Sequence, residues 1–302
     1  MRLVLLGVRG STPAPGPAFV RYGGHTSCVA VIPAGGTAPT LVLDAGTGLR
    51  GLGGLIGVCP ADQAGQARTA GQAGPVGEPF RGAILVSHLH WDHVQGLPFT
   101  PAVDHPDAEV TLYVPAQGGR SGRDLLACSM APPSFPITPE GLLGRWKFCA
   151  LDEGVHEIGG FTVTAAEIPH KGGRTFGYRV SDGGATMAYL PDHHVRPGHH
   201  VRPGRAGHGG PAAALVDGAD VLLHDAQFLE AERALADAYG HCTIDDAIAL
   251  ATTAGARSLV LFHHGPNRTD DALDEIARRL ASSSPPLPVT LAVQGSTLRV
   301  AG

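Results

Sequence analysis

The residues Ser87-His88-Leu89-His90-Trp91-Asp92-His93 carry four metal-ligand side chains within six positions. They directly follow Ala83 to Val86, an apolar run of the kind that forms a buried strand. Side chains alternate at an extended strand end, so His88 and His90 share one side, while Leu89 and Trp91 are expected to point into the body of the protein. A turn after Trp91 then brings Asp92 and His93 round. The two pairs suit two neighbouring cations, because imidazole binds zinc, manganese or iron and a carboxylate serves the harder position. Gly96 and Pro98 close the segment, which fits a built site better than a solvated surface cluster.

Other ligand-type residues stand where strands are expected to end. Leu3 to Leu6 reads as a central strand and Thr26 to Ile32 as a second. Thr40 to Leu43 is a third, which delivers Asp44 and then Ala45-Gly46-Thr47-Gly48. These glycines lack the lysine of a phosphate-binding loop, and Leu49 to Val58 reads as a glycine-rich helix of poor propensity. Glu109 to Val114 is a strand and Arg120 to Met130 a short helix. The apolar, proline-stiffened Ala131 to Pro136 reads either as a packed surface loop or as a lid over a cleft.

Arg145 to Leu151 and Phe161 to Glu167 read as paired strands of a second sheet, and the strand from Phe161 ends at His170. Phe176 to Val180 and Thr186 to Leu190 read as a hairpin that ends at Asp192. Asp220 to Leu223 runs into His224-Asp225, and Glu230 to Ala238 is a helix. Thr243 is a good N-cap for a helix from Ile244 to Ala254, which holds His241 just ahead of that helix. Ser258 to Phe262 ends at His263-His264, Thr269 caps the last helix, and Val289 to Val293 and Thr297 to Val300 close the chain. Loops at one sheet edge can therefore gather Asp44, His88, His90, Asp92, His93, His170, Asp192, His224, Asp225 and His263.

With 302 residues and 43% hydrophobic content, one domain spanning 1–302 has ample core. A net charge of −5 gives no electrostatic footprint for wrapping a polyanion. Five widely spaced cysteines, with no C-x-x-C pair, argue for thiols in a reducing compartment rather than a disulfide framework. No stretch approaches the ~20 apolar residues that span a bilayer, and Met1 to Gly7 lacks the features of a signal peptide. A soluble, cytoplasmic protein without membrane contact is expected. Residues 61–79, rich in Ala, Gly, Gln and Pro, read as a mobile surface insertion. Residues 193–211 read as another. There His193-His194-Val195-Arg196-Pro197-Gly198 recurs as His199-His200-Val201-Arg202-Pro203-Gly204, and a duplicated Pro/Gly segment is poorly preorganised for fixed ligand geometry.

The spacing H-x-H-x-D-H resembles the signature of the metallo-β-lactamase superfamily. Arg9-Gly10-Ser11-Thr12-Pro13, Arg21 to Cys28, Asp44 to Gly48 and Met130 to Pro136 look like segments of its phosphodiesterase branch, in particular the cyclic-nucleotide phosphodiesterase-like proteins beside tRNase Z. The resemblance implies an α/β (α+β) fold, a four-layer αββα sandwich, with two divalent metal ions at one edge. Zinc is expected first, with manganese or iron as alternatives.

Carried over residue by residue, it gives His88, His90 and His170 to one metal and Asp92, His93 and His263 to the other. Asp192 bridges the two, and Asp44 orients a motif histidine by a hydrogen bond. His264 competes with His263 for the last place. His241, polarised by Asp225, becomes the general acid after metal-bridged hydroxide attacks a phosphodiester. Where the family usually has Gly-His-Ser-Thr, this chain has Gly240-His241-Cys242-Thr243, and Cys242 is expected to be a small buried residue.

A small cyclic-nucleotide-type or nucleotide substrate is expected, and a homodimer is compatible. RNA is less favoured, since the segment before His170 lacks a long basic arm. The rival readings are a tRNase Z-like endoribonuclease, a lactone or thioester hydrolase, and a metal or nucleotide sensor without turnover.

Overall fold

The computed structural model describes residues 1–56, 78–195 and 210–302, so most of both expected insertions lies outside the described residues. The first half supplies β1 (Arg2–Gly7), β2 (Cys28–Ile32), β3 (Leu41–Leu43), β4 (Arg81–Leu85), β5 (Glu109–Pro115) and β6 (Arg145–Leu151). The second supplies β7 (Gly154–Ile158), β8 (Phe161–Ile168), β9 (Thr175–Ser181), β10 (Thr186–Leu190), β11 (Val221–Asp225), β12 (Leu259–Phe262) and β13 (Val289–Leu291), before β14 (Thr297–Arg299). They build two seven-stranded sheets, ordered β14-β1-β2-β3-β4-β5-β6 and β13-β12-β11-β10-β9-β8-β7. Each sheet passes from antiparallel to parallel pairing midway, at β3–β4 in one and at β10–β11 in the other. Such switch points are where open sheets gather ligands at the carboxyl ends of their strands.

Both faces are covered at the centre of each sheet, which is why β2, β3, β11 and β12 are buried throughout rather than alternating. Leu3 and Leu5 enter the core between the sheets with Phe161, Phe176, Tyr178 and Phe262, whereas Val4 and Leu6 face an outer layer with Leu49 and Leu52. A third apolar layer packs the other face of the second sheet against α3 (Gly210–Val216), α5 (Ile244–Thr253) and α6 (Asp270–Ser283). Two central sheets between helical layers are the expected αββα sandwich. Among the described residues no helix is long and apolar enough to cross a membrane.

Several local expectations change. Arg145–Leu151 belongs to the first sheet, where β6 pairs with β5 in parallel. The partner of β8 is instead β7, whose exposed, polar pattern hides it as an edge strand. β1 is not central but second from the edge, beside β14. The segment from Leu49 is a 3₁₀ helix, Thr47–Leu55, since its glycines lower α propensity. The helix expected over Arg120 to Met130 is confined to α2 (Gly122–Leu126). The loop after it is anchored by buried Met130, and Phe135 meets Phe99 edge-on at 5.8 Å, which is the packed-loop reading.

Phe176 is fully buried between the sheets and Val155 on β7 is 68% exposed. Phe176→Ala should lower unfolding free energy by about 3–5 kcal/mol in urea denaturation, while Val155→Ala should stay within about 0.5 kcal/mol. Equal effects would contradict this layering.

Candidate metal centre

β4 ends at Leu85, and the chain turns at His90 into the single helical turn α1 (Trp91–Val94). That turn breaks strand alternation one residue earlier than expected. Trp91, foreseen as pointing inward, is therefore 74% exposed, while Asp92 and His93 are buried. Close backbone packing sets the turn against the Asp44 loop. A Cβ on Gly96 would stand 2.1 Å from the Gly46 carbonyl oxygen.

The expected ligand residues converge in two groups. In the first, His88 Nε2 lies 2.8 Å from His90 Nδ1, and His170 Nε2 lies 3.4 Å from the same atom. Asp192 Oδ2 is 3.7 Å from His88 Nε2 and 3.5 Å from His170 Nε2. In the second, Asp92 Oδ2 is 3.2 Å from both His93 Nε2 and His263 Nε2. Asp192 Oδ1 is 3.1 Å from each of the same two nitrogens. One carboxylate thus spans the groups, an oxygen to each.

Donor separations of this size match a cation held by all of them, since ligands at about 2.1 Å in a tetrahedron are ~3.4 Å apart. A second observation agrees. Both His93 Nε2 and Asp192 Oδ1 are buried without a hydrogen-bond partner, a cost of about 1–3 kcal/mol each that a cation would relieve. Imidazole and carboxylate donors with this spacing fit divalent metal ions.

The outer ring nitrogens of His93 and His170 are fixed by neighbours, as is common for ligating histidines. Asp44 Oδ2 accepts from His93 Nδ1 at 2.8 Å and from the Tyr189 hydroxyl at 2.8 Å, and its Oδ1 accepts from the Ser87 amide at 2.6 Å. His170 Nδ1 donates to the Gly240 carbonyl at 2.6 Å. Asp92 Oδ2 accepts from the Ser11 amide at 2.7 Å. His263 has a φ of +58°, a conformation that costs of order 1 kcal/mol and concentrates at functional sites. His264 instead packs inward, with Nε2 2.9 Å from the Ala292 carbonyl, whereas His263 Nε2 faces the second donor group. Gly10 leaves room for it, because a Cβ there would lie 2.5 Å from His263 Nδ1.

Charge follows from this packing. Burial, aided by adjacent imidazoles, pushes His88 and His90 below the ordinary histidine range, and burial lowers His170 too. Neutral imidazole is the form a metal takes. Burial alone would favour neutral carboxyls at Asp92 and Asp192, but the surrounding histidines hold both well below the usual range. At His93 burial opposes charge, and Asp92, Asp192 and Asp44 outweigh it and raise the group well above its ordinary value.

Beside the centre, His241 Nδ1 lies 2.7 Å from Asp225 Oδ2. Burial disfavours charge on this imidazole, but Asp225 outweighs burial and raises it to about 9. A cleft of about 1020 Å³ opens over the centre, with Trp91, Lys171, Phe228, Tyr239, His241 and Arg268 in its walls. His224, one of the strand-end residues, does not join it and turns to His193 at 3.0 Å. Sequence reasoning gave no role to Ser11 or Tyr189. The main-chain amide of Ser11 leaves no signal in residue types, and Tyr189 reads as an apolar strand residue.

A profile of the beta-lactamase superfamily domain matches residues 40–264. Ribonuclease Z of Salinibacter ruber is 29% identical over 238 residues, which cover 64% of this chain and 71% of that protein. Ribonuclease Z of Limosilactobacillus fermentum is 30% identical over 221 residues, covering 60% and 68%. Among solved structures, a diphosphatase from the PhnP family superposes with a TM-score of 0.66 at 18% identity, covering 99% of this chain and 97% of that one. The metallo-beta-lactamase fold protein YhfI of Bacillus subtilis gives 0.63 at 18% identity and covers 98% of both chains. At that identity the superpositions speak for the fold.

His263→Ala should lower the metal content of purified protein by about one equivalent, while His264→Gln should leave it unchanged, as measured by inductively coupled plasma mass spectrometry. Equal loss in the two variants would contradict the choice between these neighbours.

Proposed function

The chain belongs to the metallo-β-lactamase superfamily, and on that premise we propose that it is a dinuclear, metal-dependent hydrolase that cleaves a phosphodiester. The observation that carries this reading is Asp192, whose two oxygens face two separate groups of imidazole and carboxylate donors. His88, His90 and His170 would hold one cation, Asp92, His93 and His263 the other, and Asp192 would touch both. Zinc suits this mixture best, with manganese or iron as alternatives. When bound, two such cations lower the pKa of water towards neutrality and neutralise the non-bridging oxygens of a phosphodiester.

The chain's own residues supply positioning and the proton. Asp44 holds His93 in one tautomer, and the Ser11 amide fixes the orientation of Asp92. His241 shares its Nδ1 proton with Asp225, so the proton for a leaving alkoxide is the one on Nε2. Its raised value keeps it protonated at neutral pH. Lone acid catalysis of this kind is worth about 100- to 10,000-fold.

A small substrate of cyclic-nucleotide or nucleotide type fits the cleft better than a polyanion. Its lysine and arginine are already engaged, Lys171 with the Ala238 carbonyl and Arg268 with Glu232. Trp91, Phe228 and Tyr239 leave apolar faces for a planar group. The second reading is RNA, favoured by the relatives named Ribonuclease Z. It predicts a steep fall in pre-tRNA cleavage with salt, because phosphate contacts release counterions. The small-substrate reading predicts cleavage of bis(p-nitrophenyl) phosphate with a shallow salt dependence.

His241→Ala should reduce kcat about 100- to 10,000-fold while the metal content is kept. Because its folded value is raised, the acid form prevails at lower pH and is lost as pH climbs through about 9. An alkaline limb at or somewhat below that value should appear in the wild-type pH–rate profile and vanish in the variant. Loss of metal on substitution would make His241 a ligand instead.

A further inference from the structure

The described residues hold one more group of buried metal-type donors that shares no member with the centre: His193, His224 and Cys242. They are 5%, 0% and 0% exposed. His193 Nδ1 lies 3.0 Å from His224 Nε2 and 3.5 Å from Cys242 Sγ, and the three donor atoms fall within 4.8 Å of one another. A zinc ion with nitrogen ligands at about 2.0 Å and sulfur at about 2.3 Å has tetrahedral edges of about 3.3 Å between nitrogens and about 3.5 Å from nitrogen to sulfur. The trio therefore has the spacing seen in the two groups around Asp192.

Tautomer and position point the same way. His224 Nδ1 is 2.9 Å from the Asp225 main-chain carbonyl, which can only accept, so its proton is on Nδ1 and its Nε2 lone pair faces the other two donors. A main-chain carbonyl on the outer nitrogen is how ligating histidines are commonly fixed. Each donor is also the immediate sequence neighbour of a residue assigned to the reaction. His193 follows Asp192, His224 precedes Asp225, and Cys242 follows His241. The three come from the loop after β10, from the end of β11, which pairs with β10 as far as Leu190 and His224, and from the approach to α5.

We propose that His193, His224 and Cys242 bind a third cation, a structural zinc, which clamps the three backbones that carry Asp192, Asp225 and His241. A soft thiolate with two imidazoles selects zinc over magnesium, calcium or manganese. Binding releases the thiol proton to solvent and requires His193 to carry its proton on Nε2. Cys242, fully buried, supplies the soft donor that makes this corner a zinc site. It also sets a fixed role on the first histidine of the duplicated segment, which the sequence pattern had suggested was unanchored.

The test is a zinc count and X-ray absorption at the zinc edge on the full chain, loaded with zinc and dialysed, for wild type, Cys242→Ser and Asp192→Ala. Wild type should hold about three zinc ions, with a sulfur neighbour at about 2.3 Å. Cys242→Ser should lose one equivalent and the whole sulfur signal. Asp192→Ala should lose metal from the centre and keep the sulfur signal, which separates failure of this site from failure of the dinuclear reading. If Cys242→Ser does not fold, cobalt-loaded His224→Gln gives a second readout. Its thiolate-to-cobalt absorption in the near ultraviolet should fall below that of wild type. A wild type with about two zinc ions and no sulfur neighbour would overturn the proposal, as the trio would then be only a hydrogen-bonded corner. So would a sulfur signal that survives in Cys242→Ser.

Discussion

Everything at this edge of the sandwich depends on the Asp192 carboxylate, 2% exposed and ringed by four imidazoles from three separate segments. A buried carboxylate is costly unless it is paired. Here its oxygens meet His88, His170, His93 and His263 at 3.1–3.7 Å, while Asp92 adds a second negative charge. Histidines at contact distance from one another cannot all be protonated, and burial drives several of them neutral. Bound cations would resolve this conflict, because neutral imidazoles would then become ligands rather than unpaired groups. Folding of the edge and metal binding would then be coupled by the same charges.

The fold supplies what that coupling needs. Two sheets, each switching from antiparallel to parallel pairing, bring the carboxyl ends of β3, β4, β10, β11 and β12 to one rim. At or just beyond those ends stand Asp44, His88, Asp192, Asp225 and His263, the residues to which the proposed chemistry is assigned. The largely apolar layers below form the base of this rim. The Asp44 network is the main link between base and rim, since Tyr189 belongs to the core and His93 to the centre.

Much of this was legible in the sequence, because a ligand-type residue directly after an apolar run needs only one assumption, that strand ends share an edge. His88 to His93, His170, Asp192 and His263 follow from it together with the family resemblance. What could not be read depends on a backbone angle or a long-range contact. Trp91 faces outward because helix geometry starts at that residue, and strand alternation could not reveal it. His263 and His264 are indistinguishable by type, and a positive φ separates them. β7 was hidden by its polar exposure, and β6 went to the wrong sheet because strand order is not encoded in apolar runs. His193 looked like one unit of a Pro/Gly duplication, and its burial comes from β11 and the approach to α5, far away in sequence.

The most direct test of the central claim is a crystal structure of the zinc-replete protein with anomalous data collected at the zinc edge. The account predicts two peaks flanking Asp192, one among His88, His90 and His170 and the other among Asp92, His93 and His263, each beside a different Asp192 oxygen. A single peak there, or two peaks that leave Asp192 without contact, would contradict it.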